Sequence, residues 1–551
     1  MISRSHQFRE LFRLFRQRFV ESDALAPDAD FNTNLWQLLG LVAVPGLYAA
    51  GMMMSMLLRD VNSPPLEVRF VRIFFAAYSF TVSGFATLFE WDMLFPDRRD
   101  FLVLTLFPVR LWELFAAKMA ALGVLLGVLA MTINGGALGI LLLILVMNPR
   151  AHSFVFLEAT VLFIVSSVAA SAFGFLLVAG LQGLLINITS VRFFRRISPS
   201  VQMAGMSAMV IALVLFPIYA NVWFVAVRYP AWMWRFPPYW FAGMQEIPGH
   251  RPDALLQSLG AFGWKAFGLS LLFFAAMWGV GFARHYRRTL EAEDSAAGSL
   301  RDRRSWFDWM LRGPEERAIF YFGSGILARS TKHRLFLACY LSVGLALGLV
   351  LALRLDATGL HTSAEGLRAL PFLLTFFVVS GLRAGFQFPS ELAANWAFQI
   401  AGINWNGAAR NASRKLVIVR GLLPVLTLLF PLEVAGWGFA TGLLHMGVQA
   451  AAGALLTELL FWSFDKVPFT CSYFPGRVNM ALLAGLYLYG FSAYSFKMAD
   501  LETLLDRTPL AALLAIGVVA GLLALLWRRE PADYGVRFDG SEPDVQTLNL
   551  S

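Results

Sequence analysis

Apolar residues in this chain run together in long blocks instead of alternating with polar ones. A helix needs about 20 such residues to cross the roughly 30 Å hydrocarbon core of a bilayer, and block after block meets that length. The blocks fall near 36–58, 70–91, 115–147, 153–186, 201–224 and 261–283. They resume near 335–354, 369–387, 416–440, 447–464, 478–496 and 508–527. This pattern predicts an all-α polytopic membrane protein of about twelve transmembrane helices, arranged as two six-helix halves. The third and fourth blocks are long, and Asn134-Gly135-Gly136 marks an expected kink in the third.

Between the blocks the period changes to that of amphipathic helices. In "HQFRELFRLFRQRF", Phe8, Leu11, Phe12, Phe15 and Phe19 share one face while Arg9, Arg13 and Arg16 lie off it, the pattern of a basic helix lying in a membrane surface. The stretch has no continuous apolar core of the kind a cleaved signal peptide carries. A second such segment is "FPDRRDFLVLTLFPVR", residues 95–110. Pro96 suits a helix start, with Asp97 and Asp100 near the positive end of its dipole. Phe101, Leu104 and Leu106 can rest on the membrane or on neighbouring spans, which turns Arg98, Arg99 and Asp100 toward water. A third, "FPSELAANWAFQIAG", follows the eighth block and offers Ser390, Glu391, Asn395 and Trp396 in the same way. Phe-Pro before each segment and a Lys after it (Phe95 and Lys118, Phe388 and Lys415) keep an offset of about 300 residues. Such an offset suggests duplication of one six-span unit.

Charge fixes the expected orientation. Of the 551 residues 58% are hydrophobic and 15% charged, and the net charge is +9. With the N-terminus inside, most Lys and Arg fall in cytoplasmic segments, as the positive-inside rule requires; an odd number of spans would spoil the bias. "RHYRR", "RDRR" and "RSTKHR" all lie within 284–334. The expected organisation is a cytoplasmic amphipathic helix (1–34), a first six-span half (35–283) and a basic cytoplasmic linker with its own amphipathic helix (284–334). A second six-span half (335–527) and a cytoplasmic tail (528–551) follow. Loop placement accounts for the positive charge, so nucleic acid is not an expected partner. "YPAWMWRFPPYWFAG", in the largest outer loop, is expected at the lipid headgroup level, with a substrate-contacting lip as the sharper reading.

The chemistry of common enzymes is missing. No G-x-x-x-x-G-K-[ST], H-E-x-x-H or G-x-S-x-G occurs, and the two cysteines cannot by themselves form a disulfide framework or a zinc site. Asp60 and Glu67 could serve as a metal or acid–base pair, although Pro64-Pro65 separates them; interface solvation explains them better. The chain is not expected to be an enzyme or to bind a metal or cofactor itself. Ionisable residues within spans are costly and mark candidate sites. Here they are Glu158, Arg383, Glu433 and Glu458. Arg383 and Glu458, at matching depth, are a candidate ion pair, with snorkelling of Arg383 to the interface as the alternative. Glu433 follows Pro431, where a helix break could open a cavity. Gly344 and Gly348, and "AAAGA" at 450–454, are surfaces for close helix packing, within the chain or in a homodimer.

"EWDMLFPDRRDFLVLTLFPVRLWELFAAK" resembles the segment after the second span of type-2 ATP-binding cassette (ABC) exporter permeases, and "FFRRISPSVQ" the turn after their fourth. The second half, with "PFTCSYFPGR" and "PSELAANWAF", is similar to large bacterial permease-like proteins. The resemblance implies a fused, double-length permease of the bacterial inner membrane with both termini cytoplasmic. A separate ABC ATPase subunit, acting as a dimer, would bind the ATP. It would dock on two coupling helices, through Asp97, Arg98, Arg99, Asp100, Phe101 and Arg110 in the first half and Ser390, Glu391, Asn395 and Trp396 in the second. Type-2 permeases usually carry six spans per chain, and the second half lacks the proline matching Pro108. Two alternatives stay open: a secondary active transporter of the 6+6 type, although G-x-x-x-D-R-x-G-R-[RK] is absent, and a membrane scaffold that transports nothing.

Overall fold

The structure is a computed structural model that describes residues 4–20, 31–57, 66–94, 110–147, 154–216, 233–246, 254–291, 307–356, 359–390, 398, 406–462, 464, 466–470 and 480–528. Eleven helices among these residues are long and apolar enough to cross a membrane. The protein is therefore an all-α, multi-pass membrane protein, as its apolar blocks predict. The one block outside the eleven is that near 478–496. Its helix, Met480–Asp506, runs on past the apolar stretch to take in Lys497, Asp500, Glu502 and Asp506. The chain divides into two compact units, Met1–Gly298 and Ser299–Ser551, with the boundary inside the expected linker.

The first unit contains α1 (Arg4–Val20), α2 (Phe31–Leu57), α3 (Leu66–Phe89), α4 (Leu111–Met147), α5 (Phe154–Ile188), α6 (Val191–Val214), α7 (Pro237–Gly243) and α8 (Ala254–Glu291). The apolar face of α1 behaves as its sequence requires. Leu11 and Phe15 are buried with Leu114 and Ala117 of α4, while Arg9, Arg13 and Arg16 are exposed. That face thus covers protein. α4 runs unbroken through Asn134-Gly135-Gly136. A Cβ on Gly136 would lie 2.6 Å from the Leu47 side chain, and one on Gly46 only 2.4 Å from the Ile133 carbonyl oxygen. These glycines let α2 approach α4, which replaces the expected kink with close packing. Asn134 stays within the bundle by hydrogen bonding to Ser79 and to the Ala130 carbonyl.

The second unit contains α9 (Gly313–Arg329), α10 (Thr331–Ala352), a hairpin of β1 (Leu353–Asp356) and β2 (Gly359–Thr362), α11 (Ala364–Gly385), α12 (Asn406–Val417), α13 (Leu423–Trp437), α14 (Phe439–Leu460), α15 (Met480–Asp506) and α16 (Pro509–Arg528). α10 and α11 pack tightly because Gly344 and Gly348 face Phe377 and Leu370. The expected small-residue surface is used inside the chain. Pro431 leaves α13 continuous, so the expected break is absent. The irregularity lies one turn before Pro424. Residues Ile418–Leu422 form a π-turn that joins α12 to α13 and widens the helix where a proline ring would otherwise strike the carbonyl four residues earlier.

The units share a packing plan. In each, the amphipathic helix ahead of the first span lies on the helix that opens the third: α1 on α4, and α9 on α12. In each, the second span packs on the fourth and fifth, and the fourth on the sixth. The second span is the most enclosed, with 72% of α3's apolar window and 78% of α11's buried, so it forms the core of each unit. The first spans differ, α2 lying chiefly on α4 and α10 on α11.

The aromatic segment between the fifth and sixth spans of the first unit is not a surface belt in its described part. Tyr239, Phe241 and Ala242 of α7 are buried against α3, α5 and α8, and burial pushes the Tyr239 hydroxyl above its ordinary pKa. Among the described aromatic residues of that stretch, Trp234 keeps a large exposed face, 39%.

Candidate functional site

A hydrogen-bonded group of ionisable side chains occupies the hairpin end of the second unit. α13 supplies Glu433 and Trp437. α14 supplies His445 and Gln449, α15 supplies Glu502, Thr503 and Asp506, and α11 supplies Arg368. Positions four apart share a helix face, so His445 with Gln449, and Glu502 with Asp506, point to one place. His445 is fully buried, and Glu433, Gln449 and Glu502 are at most 3% exposed. The His445 ring is held between two carboxylates, with Nδ1 3.0 Å from Glu433 Oε2 and Nε2 2.7 Å from Asp506 Oδ1. The Gln449 amide donates to Glu433 Oε1 and to Glu502 Oε1, each at 3.1 Å. Arg368 Nη1 donates to Asp506 Oδ2 at 2.7 Å and to Thr503 at 3.0 Å, and its guanidinium lies 5.5 Å from the Trp437 ring centroid.

A neutral imidazole has one N–H, so it could serve only one of these carboxylates as donor; the imidazolium serves both. Three carboxyl groups then face two cations, and the cluster is charge-balanced when it carries one further proton. Glu502 Oε2 is buried and has no hydrogen-bond partner among the described residues, which makes it a place for that proton. Among the described residues no group of three or more His, Cys, Asp or Glu side chains has metal-holding geometry. The arrangement can bind or pass a proton and can tie four helices together.

Glu433 alone of this cluster stands out in the sequence. His445 carries no formal charge in a count of Asp, Glu, Lys and Arg, and Glu502 and Asp506 lie past the end of their apolar block. The i, i+4 spacing of both pairs was the signal that would have found them.

The opposite, linker end of the unit carries ion pairs. Arg414 Nη2 is 2.5 Å from Glu458 Oε1. Lys415 pairs with Glu316 of α9 and donates to the Met310 carbonyl at 2.5 Å. The Arg312 amide reaches the other Glu316 oxygen at 3.1 Å, and Arg420 donates to Ser324. The expected pair of Arg383 with Glu458 is replaced by Arg414 with Glu458. Arg383 instead donates to the Leu460 carbonyl at 3.1 Å and lies 4.7 Å from the Phe464 ring centroid, because the end of α14 brings its last carbonyls and these rings beside α11. Glu158 is half-buried in the first turns of α5. Lys118, the counterpart of Lys415, is likewise buried where α1 meets α4, 5.4 Å from the Phe15 ring centroid.

Asp97, Arg98, Arg99, Asp100, Phe101, Glu391, Asn395 and Trp396 lie outside the described residues. Arg110 is exposed, and its carbonyl accepts from the Glu113 and Leu114 amides as α4 begins. The Ser390 amide donates to the Phe469 carbonyl at 2.9 Å, and the Phe469 amide to that of Phe386 at 2.9 Å. Phe469 takes φ of 65° in this exchange, unusual for a bulky residue. The start of the second candidate coupling segment is thereby tied to the chain that follows α14.

The Lys415–Glu316 contact is almost dry, with side chains 10% and 2% exposed. Lys415→Met alone is expected to cost about 3 kcal/mol, because Glu316 is left buried and charged. Lys415→Met with Glu316→Leu should recover more than half of that loss, read as thermal midpoints in detergent.

Comparison with family models, curated proteins and solved structures finds no match to this chain.

Proposed function

We propose that the chain is the membrane permease of an ABC exporter that moves a substrate across a bacterial inner membrane. ATP is bound by a separate cytoplasmic ATPase pair, and both chain termini face the cytoplasm. The observation that carries this reading is the repeated joint in the two units. Each amphipathic helix ahead of a first span is packed on the helix that leads out of a candidate coupling segment. α4 begins directly after residues 95–110, and α12 begins just after 388–402. A push on either segment would pass to a third-span helix and to the amphipathic helix bound to it, with Lys118 or Lys415 buried at the joint. The absence of a P-loop from the sequence is in keeping with an ATPase supplied by another chain.

The test is recovery of ATPase activity with the tagged chain from solubilised membranes. Arg98→Glu with Arg99→Glu, and separately Glu391→Lys, should each lower the recovered activity at least about tenfold, the scale of one lost charged contact. Wild-type chain that recovers no ATPase, or variants that recover as much as wild type, would overturn the reading.

The Glu433–His445–Asp506 cluster favours one other function, proton-coupled secondary transport, because buried carboxylate–histidine chains in spans often relay protons. Transport that follows an imposed proton gradient and persists after ATP depletion would select it.

A further inference from the structure

Protein occupies the apolar face of α1, which leaves its charged face without a role. Arg4–Val20 holds five arginines and one glutamate. Of the arginines, Arg9, Arg13 and Arg16 are exposed. At about 100° and about 1.5 Å per residue, these three fall within an arc of about 60° and form a row about 10 Å long. Glu10 lies 3.8 Å from Arg13, while Arg9 and Arg16 make no ion pair among the described residues. Arg16 leans over Phe12, with its guanidinium 6.0 Å from the ring centroid. Like charges four apart on a helix repel each other, so the row is stabilised by an anionic surface laid along it.

The row also has a definite depth. Leu11 and Phe15 are buried in one cluster with Leu114, Ala117 and Ala121 of α4, and Lys118 Nζ lies 5.4 Å from the Phe15 ring centroid. In the first turn of α4, Trp112 is 71% exposed and stacks on Phe115 at 5.2 Å between centroids. Tryptophan exposed on a membrane protein favours the headgroup level. The helix α1 therefore lies beside the headgroups, and there guanidinium groups match phosphate oxygens with paired, charge-assisted hydrogen bonds.

We infer that the arginine face of α1 binds the headgroups of anionic phospholipids, and that this contact holds α1 on α4. The helix meets the bilayer through its polar side, the reverse of an interfacial helix that sinks its apolar side into lipid. Each basic side chain near an anionic membrane surface adds about fivefold to the attraction, and salt screens it. The inference does not depend on the exporter reading.

The experiment places the purified full chain in nanodiscs of phosphatidylcholine, alone or with phosphatidylglycerol, and reads amide hydrogen exchange over residues 4–20. The test variant combines Arg9→Gln, Arg13→Gln and Arg16→Gln, since glutamine keeps the helix propensity of arginine. At about 0.1 M salt, phosphatidylglycerol should slow wild-type exchange in α1 about tenfold, less than the roughly hundredfold of three unscreened contacts. The triple variant should show no slowing, and its thermal midpoint in phosphatidylcholine should match wild type because all three side chains are exposed. Raising salt to about 1 M, where the screening length falls to about 3 Å, should abolish the wild-type effect. Slowing that survives that salt, or a triple variant slowed as much as wild type, would overturn the inference. Equal wild-type exchange in both discs would overturn it too, and would leave the arginine face to an acidic protein partner.

Discussion

Asp506→Ala is expected to melt the hairpin end of the second unit and to cost about 3–5 kcal/mol, the scale for removing one member of a buried ionic group. Asp506 serves two cations, His445 Nε2 and Arg368 Nη1, each at 2.7 Å. Its loss leaves the fully buried His445 with Glu433 alone and frees Arg368 from its carboxylate. Every one of the four helices that meet there then has a side chain that has lost or shares a broken network. Asp506→Asn keeps one acceptor oxygen and should cost less. The measurements are the thermal midpoint in detergent and hydrogen exchange at the ends of α13 and α14. An Asp506→Ala protein that melts with wild type and exchanges no faster would show that this network holds nothing together.

Gly260→Leu should have a comparable effect in the first unit. A Cβ at Gly260 would lie 2.5 Å from the Gly243 carbonyl oxygen and 2.9 Å from the Met244 amide nitrogen. Both are backbone atoms, so no rotamer change relieves the clash. The short helix α7 would have to leave α8, exposing Tyr239 and Phe241, for a loss of about 3 kcal/mol, near the upper end of ordinary overpacking. Gly268 lies on the same helix with nothing within 4 Å of its would-be Cβ, so Gly268→Leu is the control and should melt near wild type. A shifted, more solvent-exposed tryptophan emission from Trp240 would report the same displacement.

The helices were legible because hydrophobic length is a strong and local signal, and the basic face of α1 was legible for the same reason. The offset between Lys118 and Lys415 suggested a duplication, and the structure places both residues, buried, where an amphipathic helix meets the helix that opens a third span. What the sequence hid was partner choice. Arg383 and Glu458 sit at similar depth, but Arg414 lies on the face that α12 turns to α14, and depth alone cannot tell which helix is the neighbour. Asn134-Gly135-Gly136 looked like a break because glycine weakens a helix; whether it instead admits a neighbour depends on Leu47, almost ninety residues earlier. The hairpin-end cluster was half visible. Glu433 announced itself by its charge within an apolar block, while His445, Glu502 and Asp506 needed the fold to bring them together.

The π-turn at Ile418–Leu422 has a consequence for how one helix meets another. Arg414 and Glu433 are 19 residues apart, and at about 100° per residue an unbroken α-helix would aim them about 100° apart around its axis. One surplus residue absorbed in the π-turn cancels that angle. Both side chains therefore address α14, Arg414 meeting Glu458 and Glu433 meeting His445. The wide turn acts as a phase correction, and without it α14 could be gripped at one end only.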